Sequence, residues 1–264
     1  MSAPGMPSDY DPVTPVRKVG GSQSESVSQN SSAHGSPPSR RLSDVRKTTV
    51  LRPSVFGSHA VNLKGEDGLR VDSLTIGMEL VTAALVVDGH GGHQAAALVV
   101  DEVLPLVAEY AQGDASPSTL ETAAASAFGL LHERMQTPAF GSTAGTAVTL
   151  VLVNETRGQC TCCSVGDSFA ILVGAPAEHR ASQMTELTIN PRLDTCEAER
   201  ERVKRAGGTI ARAASPDGFP YGPLRAWPGG VTCASSLGDS DCAKLINSKV
   251  RAPIFFGRPP LRPA

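Results

Sequence analysis

The chain has 264 residues, 40% of them apolar and 4% aromatic, with a formal net charge of −2. That length suits one large domain or two small ones, with a core built on Val, Leu and Ala. No basic block points to nucleic acid, no apolar run is long enough to span a bilayer, and the first residues lack the apolar stretch of a secretory signal.

Residues 1–45 are rich in Ser, Pro and Gly and cannot bury a core, so a disordered tail is expected there. Within it, Arg40-Arg41-Leu42-Ser43 has the form of a basophilic kinase substrate, and Ser36-Pro37 is a proline-directed context. The globular part is expected over 46–245, followed by a Pro/Arg-rich tail, 246–264, read as unstructured. Leu80–Val87 reads as a buried strand, and Ser58–Lys64 is a candidate neighbour for it. The periodicity predicts helices over His93–Gln112, interrupted near Pro105, and over Ser118–Gln136, capped by Ser118 or Thr119. Three β-rich runs follow: Thr146–Val153, Gln159–Ser164 and Phe169–Val173. Residues 154–158 make a hairpin loop between the first two. A polar helix is predicted from Cys196 to Ala206, stopped by Gly207-Gly208, and 213–230 reads as Pro/Gly-rich loop. Strands with a few amphipathic helices imply an α+β protein of stacked layers.

The six cysteines show no repeating pattern. Cys160-Thr161-Cys162-Cys163 lacks the separated ligand pairs of a zinc site and reads as strand cysteines acting as small hydrophobes. A reducing intracellular setting, cytoplasmic or nuclear, is expected.

The chemistry concentrates at strand ends. Val81–Val87 stops abruptly at Asp88-Gly89-His90-Gly91-Gly92, where a carboxylate and a bare carbonyl can grip a hard cation. Gly65-Glu66-Asp67 lies upstream, and Val165-Gly166-Asp167-Ser168 puts a further acid in a tight turn downstream. Each alone is an ordinary turn acid. Together they form an oxygen-rich set suited to magnesium or manganese.

These blocks, with Ser142-Thr143-Ala144-Gly145-Thr146-Ala147, Ala206-Gly207-Gly208 and Leu237-Gly238-Asp239, resemble in content and order the type 2C metal-dependent protein serine/threonine phosphatases. The resemblance covers roughly residues 55–245. It implies two packed antiparallel sheets flanked by helices, an α-β-β-α sandwich incomplete at the C-terminus. It implies a monomer that acts on phosphoproteins, and hydrolysis of phosphoserine and phosphothreonine by water activated on two Mg2+ or Mn2+ ions, with a weaker third. By the same resemblance Asp88 bridges the ions, Gly89 offers its carbonyl, and Glu66 and Asp67 bind directly or through water. Asp167 helps hold the third ion, and His90 is the general acid. The family's basic phosphate-binding position falls on Asn62, with Lys64 nearby. Phe169 and Ser235 stand where an Arg is common, and Asn190-Pro191 replaces the usual Asp-His. Lys244–Ala264 contains neither the Asp-Gly nor the Asp-Asn block that carries two further metal ligands in the family. A catalytically inactive phosphatase-like binding protein, or a truncated fragment, is the alternative to an active enzyme.

Overall fold

The computed structural model describes residues 57–58, 64–137, 140–174 and 184–257. In chain order the elements are β1 (Gly68–Ile76), β2 (Glu79–His90), α1 (Gln94–Tyr110), α2 (Pro117–Met135), β3 (Gly145–Asn154) and β4 (Gln159–Val165). Then come β5 (Ile171–Val173), β6 (Met184–Glu186), α3 (Glu197–Arg205), β7 (Thr209–Ala214), β8 (Pro220–Trp227), β9 (Leu237–Gly238) and β10 (Arg251–Gly257). The architecture is α+β with antiparallel sheets. The strands divide unequally among the described residues: one six-stranded sheet in the order β1-β2-β3-β4-β10, with β9 paired to β3, and the two-stranded pairs β5–β6 and β7–β8.

The period-2 alternation of β2 sets the layers. Val81, Ala83, Leu85 and Val87 point to one face and are almost fully buried, where α1 and α2 cover the sheet. The strand beside β2 is β1, whose register runs from Gly68↔Val87 to Ile76↔Glu79. The expected neighbour, 58–64, falls largely outside the described residues. The loop after β3 is the predicted hairpin: the Asn154 carbonyl accepts from Gly158 N–H at 2.8 Å, and its side chain accepts from Arg157 N–H at 2.9 Å.

Three local expectations change. Pro105 does not end the helix: α1 runs through it to Tyr110. Proline removes the donor that Asp101's carbonyl needs. Arg70 on β1 reaches over to donate to the carbonyls of Val100 at 3.0 Å and Asp101 at 3.3 Å, so the interruption is bridged from a neighbouring strand. The cap of α2 is Ser116, ahead of Pro117 at the first helical position, and its hydroxyl accepts from Thr119 N–H. Most of 213–230 is a hairpin rather than loop, β7 with β8, which tolerates Pro220 and Pro223 because it is a two-stranded ribbon with no central position.

The segment after 245 also departs from expectation. Arg251–Gly257 pairs antiparallel with β4, from Arg251↔Ser164 to Gly257↔Gln159. An edge strand of unpaired backbone groups recruits any available partner strand, and β10 is that partner for β4. A second, smaller core of Leu193, Val203, Ala226, Cys242 and Leu245 lies beneath α3 and the β7–β8 hairpin.

Candidate active site

The end of β2 builds the site. Because alternate residues share a face, Asp88 and His90 project away from the helix-covered core, while Gly89 between them is buried. Register places Asp88 opposite Ala147 and His90 opposite Gly145 on β3. The turn after β4 carries Asp167 to the same sheet end, since Val165 pairs with Val148. The short strand β9 pairs Leu237 and Gly238 with Thr146 and Gly145, so Asp239 arrives beside His90.

Close backbone approach explains the glycines here. A Cβ on Gly89 would lie 2.2 Å from the Glu66 carbonyl oxygen. Gly91 has φ +68°, and a Cβ there would lie 1.9 Å from the Thr143 carbonyl. Gly91→Ala is therefore expected to destabilise the fold by roughly 1–3 kcal/mol and to lower the melting temperature by several degrees. A melting curve superimposable on the parent would contradict this.

Asp239 is the best-held group of the site. It is 2% exposed and adopts a left-handed backbone (φ 53°), which Asp tolerates better than most residues. Its Oδ1 lies 2.7 Å from His90 Nε2, and its Oδ2 accepts from the Ser236 hydroxyl at 2.5 Å. Helix α2 fixes the approach: Gly238 N–H donates to His132 Nδ1 at 3.1 Å, and Gln136 Nε2 donates to the Gly238 carbonyl at 3.0 Å. Desolvation pulls the His90 pKa down, but Asp239, Asp88 and Glu66 together outweigh it and leave the imidazole above its ordinary value.

The other acids behave as a crowded anionic set. The Asp88 carboxyl is held above its ordinary range, first by desolvation and then by the charges of Asp167 and Asp67. The Glu66 carboxylate accepts from Gly92 N–H at 2.9 Å. Arg192 donates to Asp167 at 2.7 Å. Asp88, His90, Asp167, Asp239 and Arg192 line one cavity of about 380 Å3, together with Arg225 of β8 and the 229–233 turn. Glu66 and Asp67 sit beside it, near enough to act electrostatically on His90 and Asp88. Lys64 is exposed and does not line the cavity, and Asn62 lies outside the described residues.

Hard oxygen donors that repel one another fit a hard divalent cation held partly through water. Among the described residues, however, no three His, Cys, Asp or Glu side chains converge on one point. Asp167 is already engaged by Arg192, and Asp239 by His90 and Ser236. These residues do not by themselves supply the carboxylate set for a pair of ions.

Sequence reasoning singled out the Leu237-Gly238-Asp239 block without giving Asp239 a task, and it missed Arg192 and Arg225. Asp239 reaches His90 across 149 positions of chain, a separation no local pattern encodes. Arg225 lies in a Pro/Gly-rich stretch where a cation has no periodic signature. Ser235, noted as an Arg position in the resembling family, is buried here and accepts from Gly166 N–H at 3.2 Å, which secures the turn that carries Asp167.

Comparison with known proteins agrees with this architecture. The sequence profile of the family described as Protein phosphatase 2C matches residues 75–218. "Probable protein phosphatase 2C 15" of Arabidopsis thaliana is 33% identical over 213 residues, covering 77% of this chain and 47% of the relative. "Probable protein phosphatase 2C 5" of the same plant is 31% identical over 211 residues, covering 77% and 48%. The chain thus spans about half the length of the curated relatives it matches. Among solved structures, a C. elegans sex determining protein superposes with TM-score 0.59 at 21% identity, over 75% of this chain and 46% of that one. The serine-threonine phosphatase 2C of Toxoplasma gondii superposes with TM-score 0.54 at 14% identity, over 73% and 74%. On the profile match and the shared fold, the chain belongs to the protein phosphatase 2C family.

Proposed function

We propose that the chain is a Mg2+- or Mn2+-dependent protein phosphatase acting on phosphoserine and phosphothreonine in protein substrates. The observation that carries this reading is the mutual repulsion of Asp88, Asp167 and Asp67 at a cavity that also holds the His90–Asp239 pair. Asp88 and the Gly89 carbonyl would hold the ion, with Asp67 and Glu66 assisting through water. When bound, such an ion offsets phosphoryl charge and lowers the pKa of water toward neutrality. His90 keeps Nε2 on Asp239, which leaves Nδ1 to deliver a proton to the departing serine or threonine oxygen. The oxygen of water bonds to phosphorus as the ester P–O bond breaks, giving inorganic phosphate and the free hydroxyl, with no phosphoenzyme. Asp167 completes the negative wall.

The Arg192–Asp167 ion pair favours a second reading, a family member that binds phosphoproteins without hydrolysing them. Phosphate release from phosphoserine and phosphothreonine peptides, measured with Mn2+ or Mg2+ and again with chelator, separates the two. Metal-dependent release supports the enzyme. Peptide binding without release sinks it.

The same proposal carries an intracellular setting. Its support is that all six cysteines are free thiols, with burial pushing Cys162, Cys163 and Cys242 up to about 12. No helix among the described residues is long and apolar enough to cross a membrane.

A further inference from the structure

The cavity has two arginines on its wall, and they differ in what they already hold. Arg192 is committed on one edge to Asp167, at 2.7 Å. Arg225, on β8, is half-buried and makes no ion pair among the described residues. Its Nη1 donates to the Gly230 carbonyl at 2.5 Å, which pins the guanidinium against the turn without pairing it to a carboxylate. A half-buried guanidinium with no direct ion pair has donors left to give to an anionic ligand. Both arginines are held on the wall by the same stitching: Leu193 N–H donates to the Thr232 carbonyl at 3.1 Å, and Leu224 N–H donates to Asp194 Oδ1 at 3.1 Å.

We infer that Arg225 is the phosphate-recognising residue of this cavity, with the outward edge of Arg192 as its partner, and that the ligand is the phosphoryl dianion of a phosphorylated side chain. This rests on the phosphatase reading for the identity of the substrate, and on the cavity alone for the identity of the anion. A guanidinium offers a planar fork that matches two oxygens of a tetrahedral dianion, which the point charge of a lysine does not. Arg225 lines the same cavity as Asp88 and His90 at the sheet end. A phosphoryl group held by Arg225 shares one cavity with Asp88 and His90. The inference puts phosphate recognition on the β7–β8 hairpin, through Arg225.

The test titrates the full chain, in Mg2+, with inorganic phosphate by calorimetry. Arg225→Gln is expected to weaken phosphate binding about tenfold or more, as loss of a charge-assisted contact does. Arg225→Lys should lose less. Arg134→Gln, on the exposed far surface of α2, should lose nothing. In the unmutated chain, phosphate should slow phenylglyoxal modification of Arg225, read by mass spectrometry, and this arm needs no variant to fold. Unchanged phosphate affinity in a folded Arg225→Gln protein overturns the inference. So does modification of Arg225 at the same rate with and without phosphate, or absence of phosphate binding by the unmutated chain. Phosphate binding through Arg225, with no release from phosphopeptides, leaves the inference standing and removes the phosphatase reading.

Discussion

Replacing Asp88 with alanine should abolish metal-dependent phosphate release and cut Mn2+ affinity by more than the roughly 10–100-fold that loss of an outer-shell group costs. Asp88 is the carboxylate on which the charges of Asp167 and Asp67 converge, so it sits where a divalent ion relieves the most repulsion. The same repulsion predicts an opposite effect on the metal-free protein. The raised pKa of Asp88 means that the native state binds a proton more tightly than the unfolded chain does. Stability therefore falls as pH rises from the ordinary value of 3.8 through the raised one, and the ionised group is a net liability at neutral pH. Because Asp88 is solvent-exposed, screening limits that liability to no more than about 1 kcal/mol. Asp88→Asn is accordingly expected to melt slightly higher than the parent in chelator, and to lose the metal-induced rise in melting temperature. Calorimetry and melting curves with and without Mn2+ check both signs. An Asp88→Asn protein that is still stabilised by Mn2+ would refute the assignment of the ion to Asp88.

The second large effect belongs to His90. His90→Ala should lower turnover by about 10²–10⁴-fold, the range for loss of a general acid, while Mn2+ affinity stays near that of the parent. The pH profile carries the sharper test. A general acid must be protonated, and the His90 pKa lies above its ordinary 6.5, so the alkaline limb of the rate profile should fall above that value. Asp239→Asn keeps the shape of the partner but removes its charge. The alkaline limb should then move to lower pH, with lost activity growing from neutral pH upward. The linkage has a definite sign: His90 contributes stability that is fully present below 6.5 and is lost as pH rises through its raised folded value. Parent and Asp239→Asn proteins should therefore differ most in melting temperature on the acid side and converge at alkaline pH. An alkaline limb unmoved by Asp239→Asn would show that the pair does not govern the proton.

Short-range pattern determined a definite share of this protein. The alternation in Val81–Val87 fixes which face of β2 is buried, and hence that Asp88 and His90 share the other face. The Asn154–Gly158 loop fixes the antiparallel pairing of β3 with β4, and so brings the Asp167 turn to the end of the sheet that holds Asp88. The ordered blocks at 65–67, 88–92, 166–168 and 237–239 were legible because strand ends and tight turns have local signatures. Tertiary structure alone decided the rest. Helix α1 continues through Pro105 because Arg70, on another strand, satisfies the carbonyl that proline orphans. The 251–257 segment becomes a strand on the edge of β4; its Ile254-Phe255-Phe256 run is β-prone, but it is too short, between Pro253 and the Pro/Arg-rich residues that follow, to name its partner strand. Asp239 meets His90, and Arg192 and Arg225 reach one cavity wall, through contacts between residues far apart in the chain. Periodicity reports which face of an element is apolar, but it carries no information about which distant side chain will be folded against a given charge.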